Sequence, residues 1–544
     1  MKRDSKIRAL EQSSRKGNVS SSYELFNIYE IGAGTDIDLE KSKNYYLTCV
    51  DALDFDSFVD GERPNNRIIL NDLKLMNFRK FENLDVVFED DITVIIGNNG
   101  SGKTTILESI AKTFSWLNAR MVFKGRSGKS LEDSDVTIGV LDNSEVITSI
   151  NFGNSTVYSG SLVRPAKGIE SSKVSELDSY NRLSSLYRVI SDRERRTHND
   201  INIPLLAYYS VDRSNMKGNQ SFDLEKVTDT VNESKFDAID KSVLDGTGNL
   251  TDFLVWFIYI DNKTDSSLQT KYDALSAEIE ALNQVVDGKG NVLWPILEAK
   301  KIELEVLFSK IKASKSMQTS NLKEYVKKAI VDAVPSVSDI FVDRSSGRAE
   351  VKIVNDNVPV NIYQASKGQQ VYLSLVADIA RRLILLNPKL KNPLHGQGVV
   401  LIDEIELHLH PKWQQDIASN LISTFPNVQF IITTHSPQVL SRLSRTKVRS
   451  IGENLDGEEV AVPPLAESYA RSASTILSTV MHFDSKQKLP ESALLKKYAN
   501  IIEQGDFRSD EAKSLYAQLR ASLGEDHEEL VRLSLVLRRR EKLE

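Results

Sequence analysis

The chain has 544 residues, 40% hydrophobic and 27% charged, with 26 glycines and 14 prolines, a composition that excludes collagen-like and disordered classes. Its formal charge of −7 excludes a protein that coats nucleic acid with a general cationic field, so any such contact has to come from a local basic patch. A single cysteine, Cys49, excludes an internal disulfide framework or a multi-cysteine metal site and favours a reducing, cytoplasmic setting.

At this length about three or four domains are expected, or one large domain with insertions. The longest apolar run, Phe253 to Ile260, has eight residues, against the roughly 20 that span a bilayer. The polar start Met1 to Ser5 has no apolar segment behind it, so no membrane partner and no export are expected.

Residues 1–20 are polar and lack apolar periodicity, which predicts a flexible arm. Residues 21–62 hold two helical patterns, Tyr23 to Tyr29 and Leu39 to Tyr46, separated by Gly32-Ala33-Gly34. This is a helical hairpin, similar to one unit of the Sel-type tetratricopeptide-like repeats, and one such unit must dock on something to bury its face. Residues 65–213 change texture. Ile68 to Leu75, Leu84 to Phe88, Val136 to Val140 and Val146 to Phe152 read as a small antiparallel sheet, whereas Ile92 to Ile96 is a continuous apolar run, the pattern of a buried central strand. Residues 214–335 turn helical and polar, with two amphipathic stretches, Tyr272 to Leu282 and Ala299 to Phe308, broken at Gly288. They predict a short antiparallel arm rather than a long coiled coil. Strands return in 336–462, at Ala349 to Ile353, Val358 to Ile362, Val399 to Ile402 and Val428 to Thr433, and 463–544 reads as a helical tail.

Chemistry concentrates at three places. Gly97-Asn98-Asn99-Gly100-Ser101-Gly102-Lys103-Thr104 fulfils the phosphate-loop pattern between an apolar strand and a helical stretch opening at Thr105. Such glycines free backbone N–H groups to wrap phosphates, Lys103 supplies a point charge to the β and γ oxygens, and the Thr104 hydroxyl can ligate Mg²⁺. The loop reads phosphates and leaves the base unread. Second, the apolar strand ending in Asp403-Glu404 can deliver one carboxylate to the metal shell and a second to the attacking water. Third, the strand Ile431 to Thr433 leads to His435, which neighbouring strands of a doubly wound sheet would bring toward the γ-phosphate. A structural histidine and a helix-capping acid pair are the bland alternatives.

The order phosphate loop, long insertion, Ala365-Ser366-Lys367-Gly368-Gln369, Asp403-Glu404, His435 resembles the ABC-type ATPase heads of the structural-maintenance and DNA-repair class. The resemblance implies an α/β fold: a P-loop head with an antiparallel β-subdomain, a helical insertion and a helical tail. It also implies a head-to-head dimer that hydrolyses ATP with Mg²⁺. Ser366, Gly368 and Gln369 stand at the signature that would meet the γ-phosphate held by the opposite subunit; Ala365 and Lys367 depart from that signature. The stretch Asp403 to Gln414 is similar to the subgroup containing overcoming-lysogenisation-defect nucleases and the PtuA ATPases of Septu and retron antiphage systems, where it forms the D-loop. His408 and His410 there could suggest zinc, but no third ligand is near in sequence. Arg213, and Arg79 or Lys80, resemble basic residues that approach nucleotide in this class. No Asp-x-Asp cluster follows His435 and no HNH pattern occurs, so nuclease chemistry is expected in a partner of the PtuB type. The tail resembles the helical end of PtuA proteins, and the N-terminal hairpin is similar to the retron version, which implies a reverse transcriptase with its msDNA/ncRNA as further partners. A repair ATPase acting on DNA ends, a nucleotide-binding scaffold with little turnover and, least, a transporter ATPase subunit are the alternatives. Arg193-Glu194-Arg195-Arg196 and Arg538 to Arg540 either face solvent or meet phosphates.

Overall fold

The computed structural model describes residues 2–54, 64, 66–153, 156–170, 173–197, 199–214, 234–247, 250–263, 266–285, 293–314, 317–346, 348–454, 457–481, 491–505, 507–524 and 528–541. Three helices come first: α1 (Lys2–Arg15), α2 (Val19–Ile31) and α3 (Leu39–Leu53). The expected flexible arm is therefore mostly a helix. Ile7, Leu10, Glu11 and Ser14 fall on one helical face and are half-buried. Tyr29 donates to Glu11 at 2.8 Å and the Ser14 and Ser22 hydroxyls meet at 2.8 Å, so half of the stripe is polar and escapes a hydrophobic pattern.

Helices α2 and α3 pair as a hairpin. Asn18 and Asp38 cap their first turns, and Gly32 ends α2 at φ 71°. The hairpin docks on a later helix, Asp178–Arg196: Tyr46 donates to Glu194 at 2.5 Å, and Arg193 lies 4.7 Å from the Phe26 ring while pairing with Glu30. Residues 55–62 of the expected hairpin unit, and the expected break at Gly288, lie outside the described residues.

Along the chain follow β1 (Ile68–Phe78), β2 (Phe81–Val87), β3 (Ile92–Ile96), α4 (Lys103–Val122), β4 (Asn143–Phe152), β5 (Thr156–Pro165), α5 (Asp178–Arg196) and β6 (Leu205–Tyr209). Then come α6 (Leu250–Lys263), α7 (Ser266–Val285), α8 (Trp294–Ser314), α9 (Met317–Ala333), β7 (Val337–Asp343), β8 (Glu350–Asn355) and β9 (Val358–Asn361). The second half of the head adds α10 (Lys367–Leu386), β10 (Gly398–Ile402), α11 (Pro411–Thr424), β11 (Val428–Thr433), α12 (Pro437–Leu440), β12 (Val448–Glu453) and β13 (Glu459–Val462).

The central sheet has the order β13-β12-β3-β11-β10-β6, parallel except for β13. Its strands β3, β6, β10 and β11 are buried at every position, which is why they read as unbroken apolar runs. A second, antiparallel sheet runs β2-β1-β4-β5, and a third β7-β8-β9. Val136 to Val140, expected as a strand, makes one bridge, from Val136 to Phe78, before Gly139 turns the chain at φ 84°. Helices α7 and α8 pack on each other around Ile279 and Leu297.

Two buried glutamines bind the first two sheets together. Gln397 Oε1 accepts from Ile68 N at 2.6 Å, and Gln429 Oε1 from Leu70 N at 2.8 Å. The Gln429 Nε2 donates to Leu70 O at 2.9 Å and Glu89 O at 2.7 Å.

Residues 477–544 make a separate compact unit. In it, helices Ser492–Gln504, Asp510–Leu523 and Glu528–Glu541 enclose Ile502, Leu519, Leu530 and Leu533. Among the described residues, no helix is long and apolar enough to cross a membrane.

Two outcomes are expected. Gln429→Leu leaves Leu70 N and two carbonyls buried without partners, so it lowers stability by about 2–4 kcal/mol, read as an earlier urea midpoint for the head. Cys49 in α3 is fully buried, and burial pushes its thiol from 9.0 up to about 12. The folded chain thus keeps a proton that the unfolded chain releases near pH 9, so this contribution to stability is intact below pH 9 and is lost as pH rises toward 12. A thiol reagent at pH 8 should leave the native protein unlabelled while labelling it fully in urea.

Candidate functional site

After β3 the chain turns through Gly97 to Gly102, and α4 begins at Lys103. Gly102 has φ 95°, and a Cβ there would stand 2.3 Å from the Phe81 ring. Glycine is thus the residue that closes this turn. The unpaired N–H groups of the first turn of α4 face the loop, with the positive end of the helix dipole behind them. Lys103 folds back over the loop, donating to Gly97 O at 3.0 Å and Asn98 O at 3.1 Å. Burial lowers its pKa, opposed by Asp403, Glu404 and Glu406. Asn99, Gly100, Ser101 and Thr105 complete the segment, with Gly100 at φ 77°.

Strand order sets the rest of the geometry. β11 lies between β3 and β10, so the loop and Asp403 are separated by two strand spacings, about 10 Å at the backbone. Side chains close that gap. Thr104 Oγ1 donates to Asp403 Oδ2 at 2.8 Å, and Thr433, on the intervening strand, donates to Asp403 Oδ1 at 2.5 Å. The same Thr433 hydroxyl accepts from Glu404 N at 2.8 Å.

Glu404 has φ 45°, a left-handed conformation that costs a non-glycine residue roughly 1–2 kcal/mol. It is held there from both sides. Arg213, 2% exposed, sends its guanidinium to Asp403 O at 2.5 Å and Glu404 O at 2.6 Å. Burial pulls Arg213 down to about 10, while Asp403, Glu406 and Glu404 hold its charge. The arginine that resembled a nucleotide contact is a strut beneath the loop that follows β10. Beyond it, Glu406 accepts from Thr434 Oγ1 at 2.7 Å and from His435 N at 2.5 Å, so the histidine's backbone is tied to that loop.

The phosphate loop, Asp403, Glu404 and His435 therefore gather at the carboxyl edge of one sheet. Ser366, Gly368 and Gln369 do not bond to it among the described residues. Ser366 caps α10, its hydroxyl accepting from Gln369 N at 3.3 Å, and Gln369 Nε2 donates to Asn355 at 2.8 Å. A Cβ on Gly368 would lie 2.3 Å from His408 O, so the signature backbone sits against the segment after Glu404. His410 is the N-cap of α11, accepting from Lys412 N at 3.3 Å. Among the described residues no cluster of three His, Cys, Asp or Glu could hold a metal. Arg79 is paired with Glu108 and Asp135, while Lys80 pairs with Glu459 at 2.9 Å and its stem passes close to Gly102. Lys80 is thus the basic residue of that pair beside the loop.

Thr433, Glu406 and the strut role of Arg213 have no motif of their own in the sequence. A hydroxyl at the end of an apolar strand, two residues before the histidine, is the only signal for Thr433. Thr433→Val removes the bond that orients Asp403, so ATP hydrolysis should fall about 10- to 100-fold, with nucleotide affinity changed far less; a coupled phosphate-release assay beside nucleotide titration checks it.

The family model described as AAA ATPase domain matches residues 69–440. The chain is 31% identical to the "Retron Vc95 probable ATPase" of Vibrio cholerae serotype O1 biovar El Tor, over 90% of this chain and 92% of that one. It is 30% identical to the "Retron Ec83 probable ATPase" of Escherichia coli, covering 98% and 97%. A shorter match, 29% identical over 36% of this chain and 27% of the other, is to the "Septu protein PtuA" of Bacillus mycoides. The chain belongs to the AAA ATPase domain family and is an ATP hydrolase of the PtuA type that its retron and Septu relatives represent.

Proposed function

We propose that this chain is the ATPase component of a retron-associated antiphage defence system, working as a head-to-head dimer that controls a partner HNH nuclease of the PtuB type. The observation that carries the reading is the division of the motif residues. Phosphate loop, Asp403, Glu404 and His435 converge at one sheet edge, whereas Ser366, Gly368 and Gln369 stand at the start of α10 with partners of their own. A second copy would supply its own Ser366 and Gly368 to the γ-phosphate, so ATP would complete each site across the interface. The retron names of the relatives support a reverse transcriptase and its msDNA/ncRNA as further partners.

Within the site, phosphate oxygens would replace the Gly97 and Asn98 carbonyls as acceptors for Lys103, while the N–H groups of the loop wrap the chain of phosphates. Thr104 Oγ1 and Asp403 Oδ2, 2.8 Å apart, are hard oxygen donors and suit Mg²⁺, which takes one or two protein ligands beside phosphates and waters. Bound there, the ion would neutralise charge developing on the transferred phosphoryl group. Glu404 would orient the attacking water and take its proton, and His435 would hold the γ-phosphate.

Glu404→Gln should lower the hydrolysis rate about 10²- to 10⁴-fold and leave an ATP-loaded dimer in sizing with light scattering. Near wild-type turnover would sink the role of Glu404, and a monomer in saturating ATP would sink the dimer. The genes flanking this one test the nuclease partner: an HNH protein encoded there should co-purify with the chain, and the absence of one would sink this part of the proposal.

A further inference from the structure

A cavity of about 670 Å³ opens at the far end of α4 from the phosphate loop, lined by Phe123, Lys124, Arg188, Arg195, Arg196 and Phe236 among others. That volume falls within the roughly 300–1,000 Å³ of ligand sites. Its charge is the notable quantity. Arg193, also in the lining, is spent on the hairpin through Glu30 at 2.7 Å and 2.8 Å. Arg195 and Arg196 share one carboxylate, Asp192, at 3.6 Å and 2.7 Å. Among the described residues, Arg188 is bound only to neutral oxygens, Arg120 O at 2.8 Å and Ser185 Oγ at 3.3 Å, and Lys124 makes no ion pair.

The bland role for such cations is to complement the negative ends of α4 and α5, each equivalent to about half a charge. Four cations, against Asp192 and two such helix ends, still leave an excess of about two positive charges. An aromatic ring belongs to the same lining: Phe123 is 62% exposed, with the Arg126 guanidinium 5.6 Å from its centroid. A cationic groove beside an exposed ring is the arrangement that holds a nucleic-acid strand, phosphates on the cations and a base on the ring.

We propose that this cleft binds single-stranded nucleic acid, with Lys124, Arg188, Arg195 and Arg196 taking backbone phosphates and Phe123 stacking on a base. The site is independent of the nuclease partner proposed above. Because α4 has 20 residues, it lies roughly 30 Å from the ATP phosphates, at the other end of the same helix.

Fluorescence polarisation with labelled dT and rU oligonucleotides of about 20 nucleotides tests it on the full chain. In Lys124→Glu/Arg195→Glu/Arg196→Glu the affinity should drop at least tenfold, and the slope of log affinity against log salt should fall by about 2. Phe123→Ala should weaken strand binding about fivefold or more. Basal ATP hydrolysis should stay at wild-type level in both variants, which reports an intact fold. Strand binding unchanged in both variants overturns the site. A duplex bound as tightly as the single strand, with Phe123→Ala without effect, overturns the stacking assignment, and displacement of the strand by low tripolyphosphate would mark the cleft as a free-phosphate site instead. The dT and rU arms tell whether DNA or RNA is the preferred strand.

Discussion

Everything in the head depends on one constraint: the strand that delivers the phosphate loop and the strand that delivers the acidic pair are not neighbours. β11 runs between them, so Thr104 and Asp403 can meet only if their side chains reach over its end. Thr433 makes this possible by fixing the second carboxylate oxygen of Asp403. Burial at every position of β3, β11 and β10 fixes their register. A one-residue slip in any of these parallel registers would move a functional side chain to the opposite face of the sheet. The outer parts of the molecule are consistent with this. Gln397 and Gln429 fasten the antiparallel sheet to the base of these strands, and Arg213 braces the loop above them.

Much of this was legible in the chain itself. Strands buried on both faces are apolar at every position, so β3, β10 and β11 stand out, and glycines required for backbone closure announce the phosphate loop. What escaped is of a different physical kind. Periodicity describes one element at a time, whereas Thr433 to Asp403, Glu406 to Thr434 and Arg213 to Glu404 join separate elements, the last across 191 residues. Buried polar bonds of this sort leave no pattern, because each partner looks like an ordinary polar residue at the end of a strand. The first helix escaped for a related reason: its packed face is half hydrophobic and half hydrogen-bonded, so the contacts that order it are invisible until Tyr29 and Ser22 are placed beside it.

Arginines divide into two functional kinds that composition cannot separate. Arg213 is almost wholly enclosed, its donors spent on carbonyls, and it acts on geometry. Arg195 and Arg196 remain largely solvated around one shared carboxylate, and they act on the surrounding potential. The mild negative total of the chain conceals this local contrast, since the acidic residues that balance the sum are distributed elsewhere.

The clamp on Glu404 grips its backbone. Its N–H is held by Thr433 and its carbonyl by Arg213, so the unusual backbone at this position owes nothing to its own carboxylate. Exchange of this one side-chain group therefore leaves the loop as built, and under the role proposed for Glu404 it would separate holding ATP from hydrolysing it.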